Sequence, residues 1–291
     1  MELSKLYQSI LKHGIASDPR KDKSRIKSYS DTAILYGSPH SQVSKILLGI
    51  DIEAPEILLA DRLRRSQGID LVVSHHPEGL AFAGLYEVMQ LQVDLLVKAG
   101  VPASVAQGLL EERKREVARR ILPANHMRAV DAARLLDIPF LCVHTPADNH
   151  VSAYLEKLFR TRKPKVVSDI LDILNGIPEY EQATRRLAGP KIILGSPKRP
   201  AGKIFLEMTG GTEGHKDVYD KLYKTGVRTI VSMHLSEEHF RKVKDVDLNV
   251  VIAGHISSDT LGLNLLFDKL QKDFSFSILE CSGFTRVKRN K

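Results

Sequence analysis

Apolar residues along this chain keep two rhythms. Short runs rich in Ile, Leu and Val stop abruptly, as in "SKILLGID" (44–51), "IDLVVSHH" (69–76), "RTIVSMH" (228–234) and "LNVVIAGH" (248–255). Between them lie segments of helical period such as "PEILLADRLRRSQ" (55–67), opened by Pro55, and "NHMRAVDAARLLD" (125–137). Buried strands alternating with amphipathic helices predict an α/β protein with mixed, largely parallel sheets. "PFLCVHTPADNH" (139–150), "KIILGS" (191–196), "GKIFLEMTGG" (202–211) and "FSILECS" (276–282) add further strands. Residues 85–137 hold a helical pattern, broken at Gly100 and Pro102, and predict a helical insertion between two strands. The charged, proline-bearing "RTRKPK" (160–165) is the best linker, so the expected lobes are 1–160 and 161–291.

Composition narrows the class. With 291 residues and 43% hydrophobic content the chain can bury one large core or two ordinary ones. No apolar run approaches the roughly 20 residues of a membrane span, and the first residues carry no signal-peptide pattern, so the expectation is a cytoplasmic protein with no membrane association. Two cysteines, Cys142 and Cys281, sit in strand-like runs and read as reduced core thiols. A net charge of +8 favours anionic partners, either phosphorylated small molecules or nucleic acid. Nucleic acid is the weaker alternative, because no tryptophan and 6% aromatics leave little to stack on bases.

Histidines change the picture most. His75 and His76 end one apolar run, and His144, His234 and His255 end or closely follow three others, with Asp51 at the end of a fifth. In open α/β sheets ligands bind beyond the carboxyl ends of the strands, where these side chains collect. His144 with Asp148, and His255 with Asp259, stand at i,i+4, which puts each pair on one face of a helical turn. Adjacent His75 and His76 diverge where a strand ends and suit two ions better than one. Imidazole with carboxylate and no thiolate suits Zn, Fe, Mn or Ni. Two such ions about 3.5–4 Å apart activate water and polarise a phosphoryl or carbonyl oxygen, which predicts hydrolysis. The glycines Gly210 and Gly211 match no dinucleotide or P-loop fingerprint, so no nucleotide cofactor is expected.

"LVVSHHPEG", "VHTPADN", "FLEMTGG" and "VIAGHISSD", in this order, resemble the GTP cyclohydrolase I type 2 homologue family of dinuclear-metal-centre hexameric proteins. The resemblance spans about residues 45–283. It implies two interlocked α/β domains, a homohexamer, and two divalent ions per chain. His76 and Asp148 would hold one ion, His75 and His255 the other, and Asp259 would bridge them. His144 and His234 would move protons beside the ions, and a nucleotide or other phosphorylated small molecule would be the substrate. The family's bridging residue is Glu, and Asp259 is one methylene shorter, so it reaches either both ions or only one. "KSYSDTAILYGSP" (27–39) replaces the family's Trp-Asp-Asn segment, a change placed where a substrate pocket is shaped. The alternative is a non-enzymatic metal-binding protein that contacts nucleic acid or a protein partner.

Overall fold

The computed structural model describes residues 1–289. In chain order its first elements are α1 (Leu3–Ser17), β1 (Ala33–Tyr36), β2 (Lys45–Gly49), α2 (Ala54–Gln67), β3 (Leu71–Ser74), α3 (Gly79–Ala83), α4 (Gln90–Ala99) and α5 (Ala103–Ile121). Then follow α6 (Arg128–Leu135), β4 (Phe140–Cys142), α7 (Thr145–Arg162), α8 (Val167–Asn175), α9 (Pro178–Arg185), β5 (Lys191–Leu194) and β6 (Lys203–Glu207). The last are α10 (Tyr219–Lys224), β7 (Val227–Ser232), α11 (Glu237–Lys244), β8 (Asn249–Ile252), α12 (His255–Asp273) and β9 (Ser277–Cys281). The α/β class, the parallel strands and the helical insertion between β3 and β4 are as the periodicity predicts.

Two compact units form. The first comprises Met1–Val88, Val117–His150 and the chain from Asp259 onward; the second comprises Met89–Glu116 and Val151–Ser258. A single boundary at residue 160 follows chain order, whereas these units are interleaved in sequence. The physical reason is β9, near the C-terminus, which pairs in parallel with β2 along Lys45↔Ser277 to Gly49↔Cys281 and so joins the first sheet.

That sheet has the order β1-β4-β3-β2-β9. Strands β2, β3 and β4 are parallel, with registers Leu47↔Val72 and Val73↔Leu141. Period-two alternation sends Ile46, Leu48, Leu71 and Val73 to a core shared with Leu6 and Ile10 of α1 and Leu266 and Phe267 of α12. Leu47 and Val72 face the opposite core, against Ile57 and Ala60 of α2 and Ala129 and Ala133 of α6. Burying one such aliphatic side chain contributes about 2 kcal/mol, so both faces hold β3 in place and fix where it ends. Strand β1, in a segment without strand period, pairs antiparallel with β4 through Ala33↔Cys142.

The second unit has a four-stranded sheet of order β5-β8-β7-β6, parallel except for β5. Here β8 ends at Ile252 and the chain turns into α12 through Gly254, at φ +105°. A Cβ there would meet Ser257 Oγ at 2.6 Å and Ala188 O at 3.1 Å, so glycine is required for the strand to give way to helix at His255. No helix among the described residues is long and apolar enough to cross a membrane.

Candidate metal centre

In the first unit the carboxyl ends of β3 and β4 bring His75, His76, His144 and Asp148 together with Asp259 of α12. All but His76 are buried: His75 is 0%, Asp259 1% and Asp148 4% exposed. The rings of His75 and His76 lie 5.4 Å apart, and those of His75 and His144 4.8 Å. Two sets, His75/His76/Asp259 and His75/His144/Asp148, each have ligand atoms within 4.8 Å of one another.

The three imidazoles are held in one tautomer. His75 Nδ1 lies 3.0 Å from Val143 O, His76 Nδ1 2.6 Å from Asp51 Oδ1, and His144 Nδ1 2.8 Å from Asp31 Oδ2. A carbonyl or carboxylate oxygen only accepts, so each Nδ1–H donates and each Nε2 lone pair is turned toward the carboxylates. His75 Nε2 stands 3.4 Å from both Asp148 Oδ1 and Asp259 Oδ1, and His76 Nε2 3.4 Å from Asp259 Oδ2.

These separations exceed ordinary hydrogen bonds, and among the described residues His75 Nε2 and Asp148 Oδ1 are buried without one. A tetrahedral ion bound at about 2.0–2.2 Å spaces its ligands by about 3.3–3.6 Å, so the residues present fit a divalent metal. Burial alone would drive the His75 imidazole to lower pKa, but Asp259 and Asp148 outweigh it and hold it well above the usual range.

Asp148 Oδ1 also lies beside His75 Nε2, at 3.4 Å. The shorter Asp259 nonetheless presents one oxygen to each histidine of the doublet. His150, the other histidine near this site, turns its Nδ1 to Pro146 O at 2.7 Å. One supporting residue escapes sequence reading. Asp31, 0% exposed, accepts from His144 and from Thr145 Oγ1 at 2.6 Å, yet stands 113 residues before His144. It comes from "KSYSDTAILYGSP", so this segment buttresses the centre. Asp51, visible as a strand-end carboxylate, serves the same purpose for His76.

His234 and His255 belong to the second unit, where their rings lie 4.8 Å apart, edge to face. With Lys191, Ile193, Glu237 and Phe240 they line a cavity of about 520 Å³, a volume suited to a small molecule. The Gly-Gly loop nearby is pinned by its carbonyls. Gln92 Nε2 donates to Gly210 O at 2.8 Å and Thr212 O at 2.6 Å, Arg113 Nε to Glu213 O, and His239 Nε2 to Gly214 O at 2.9 Å.

Glu213 ties the loop to the histidines, 3.4 Å from both His234 Nδ1 and His239 Nδ1. Burial raises its pKa, but His234, His239 and the Ser236 N–H prevail and hold it at about 2. The stability this supplies is complete above the ordinary 4.5 and is lost as pH falls toward about 2. Glu213→Gln is therefore expected to cost about 1–2 kcal/mol at neutral pH, after allowance for solvent screening, and almost nothing near pH 2. Urea unfolding at the two pH values checks this; an equal cost at both would exclude the charge as the cause.

No protein-family model and no curated protein matches the sequence. Solved structures do. A NIF3 superfamily protein from Sphaerobacter thermophilus is 27% identical over 98% of this chain and 99% of its own, with a TM-score of 0.82. Reduced HcgD from Methanocaldococcus jannaschii (13% identity, 96% and 97% covered, TM-score 0.58) and protein ybgI (15%, 97% and 98%, 0.57) share the fold. Fold and site together define an α/β protein with a histidine- and aspartate-lined centre fit for divalent metal. The chain has the fold of a NIF3 superfamily protein, and its similarity to that protein over nearly its whole length agrees with the resemblance its four motifs carry.

Proposed function

We propose that this protein is a dinuclear-metal-dependent hydrolase acting on a nucleotide-like or other phosphorylated small molecule. The observation that carries the reading is the convergence of three Nε2 atoms, each with its Nδ1 anchored, on the buried carboxylates of Asp148 and Asp259. His75, His76, Asp148 and Asp259 would hold the ions, with His255, one turn before Asp259 on α12, as the further ligand the resemblance implies. Divalent ions held there would lower the pKa of a water molecule and polarise a phosphoryl or carbonyl oxygen.

The chain's own residues do the rest. Val143 O, Asp51 and Asp31 keep the imidazoles oriented, so little reorganisation is needed at the moment of reaction. His234, 43% exposed and beside Glu213, is suited to passing protons at a cavity wall. Lys191 at the same cavity supplies positive charge for an anionic substrate. A cytoplasmic homohexamer belongs to the same reading. Elemental analysis of untagged protein is expected to find about two ions per chain, and a panel of phosphate esters and nucleotides to show turnover that chelation removes and metal restores. Two bound ions with no turnover across the panel would favour the non-enzymatic alternative.

A further inference from the structure

We infer that Ser236 is a nucleophile activated by His239, forming a catalytic site of the second unit that takes uncharged carboxylic esters and needs no metal. Its reaction is independent of the metal centre proposed above. Ser236 is exposed and caps the eight-residue helix α11, four residues after β7 ends. Beyond the carboxyl end of a strand in an α/β sheet, side chains reach the crevice in which ligands bind.

His239 is 3% exposed, and its Nε2 lies 2.9 Å from Gly214 O. A carbonyl only accepts, so Nε2 carries the proton and Nδ1 keeps its lone pair. Ser236 Oγ lies 2.7 Å from that Nδ1, so the hydroxyl donates to it. Its capping contact, from the His239 backbone N–H, is longer at 3.4 Å, so the hydroxyl's strong bond is to the imidazole. A nucleophile within hydrogen-bond reach of a base, with the base oriented by a third group, is the arrangement of activated serines. The third group here is the Gly-Gly loop. Gln92 and Arg113 hold the carbonyls of Gly210, Thr212 and Glu213, which keeps Gly214 O in place behind the ring. Glu213 Oε2 stands 3.4 Å from His239 Nδ1, too far for an ordinary hydrogen bond but close enough to stabilise the imidazolium once it forms.

Charge and shape select the substrate. The Ser236 N–H donates to Glu213 Oε1, Glu237 and Glu238 follow in sequence, and among the described residues no Lys or Arg bonds Ser236. A phosphate ester brought to this hydroxyl meets carboxylates, whereas a neutral ester is not repelled. Leu235 and Glu237, on either side of Ser236, line the cavity together with Ile193, Met233 and Phe240, whose side chains suit an apolar acyl group. The N–H groups of Glu237 and Glu238, in the first turn of α11, have no protein acceptor among the described residues and are available to an oxyanion. In the reaction, Ser236 Oγ attacks the ester carbonyl carbon and its proton passes to His239 Nδ1. The bond to the leaving oxygen breaks, and His239 returns the proton to it, releasing the alcohol. Water, deprotonated by His239, then attacks the acyl-serine and releases the carboxylic acid, restoring the Ser236 hydroxyl.

The test uses the full-length protein, chelated, with p-nitrophenyl butyrate as probe. Wild type is expected to release a burst of about one nitrophenol per chain, with the butyryl group found on Ser236 by mass spectrometry of the quenched protein. Ser236→Asn, which keeps a side-chain acceptor at the start of α11, and His239→Gln should each slow the burst at least about 100-fold, while added zinc should change the wild-type burst less than about twofold. Circular dichroism verifies the fold of each variant, and His239→Gln with the mapped adduct keeps the test decisive if Ser236→Asn fails to fold. Butyryl groups on lysines alone, an unchanged rate in His239→Gln, or a burst that appears only with added metal overturns the inference. None of these results touches the metal reading, which elemental analysis decides separately.

Discussion

Replacing both His75 and His76 by alanine is expected to reduce metal content from about two ions per chain to less than about 0.2, with the fold retained. The size of the effect follows from the ligand sets. His75 belongs to each of them, and His76 faces the second oxygen of Asp259, so each ion position loses an imidazole. The fold survives because the flanking β3 is held by its core residues on both faces, Leu71 and Val73 on one and Val72 on the other, and not by the imidazoles. Removing the buried His75 ring also removes the cost of keeping its polar nitrogens from water, which offsets part of the lost packing. Elemental analysis beside far-ultraviolet circular dichroism checks the result, with His40→Ala as a control, since that side chain is 80% exposed. Stoichiometric metal in the folded double variant would falsify the assignment of the doublet.

A comparably large effect is expected away from the ligands, at Asp18. This carboxylate is 3% exposed and accepts from Arg20 Nε at 2.9 Å, Arg20 Nη2 at 2.7 Å and Tyr29 Oη at 2.8 Å, with Asn149 Nδ2 at 3.3 Å. It binds the end of α1 to the segment that carries Asp31 and to the turn of α7 that carries Asp148. Asp18→Ala takes the carboxylate acceptor from the Tyr29 hydroxyl, leaves the Asn149 amide with Gly14 O and Tyr29 Oη among its acceptors, and removes the bidentate partner of Arg20. Breaking a buried ion pair by removing one side costs about 3–5 kcal/mol, and the partial exposure of Arg20 sets the expectation at about 3.

The pH dependence has a definite sign. Burial raises the Asp18 pKa, but Arg20 and Tyr29 outweigh it and bring it below its ordinary 3.8. The stabilisation is complete above that value and disappears as pH falls through the lowered one, so wild type and variant should converge in strong acid. Urea midpoints across pH test this, and a loss under about 1 kcal/mol at neutral pH would show that the network contributes little.

Several features were legible because their signals are local. Period two in "KILL" and "LVVS" marks β2 and β3, and the histidines at the strand ends mark the sheet edge at which ligands bind. The i,i+4 spacing of His144 with Asp148 and of His255 with Asp259 marks helical turns, and both pairs do fall at the starts of α7 and α12. The family resemblance rests on the same local motifs. By contrast β1 was not legible, since "AILY" sits among polar and glycine-proline residues and becomes a strand only by pairing with β4.

By itself, then, the sequence determined the α/β class, the family resemblance, and the residue types gathered for metal, because these depend on periodicities and spacings of a few residues. Only the tertiary structure decided that β9 returns to the first sheet beside β2, that Asp148 lies beside His75, and that Asp31 stands behind His144. Each of these joins residues far apart in the chain, and hydrogen bonding and burial select such partners by distance in space, for which no local pattern exists.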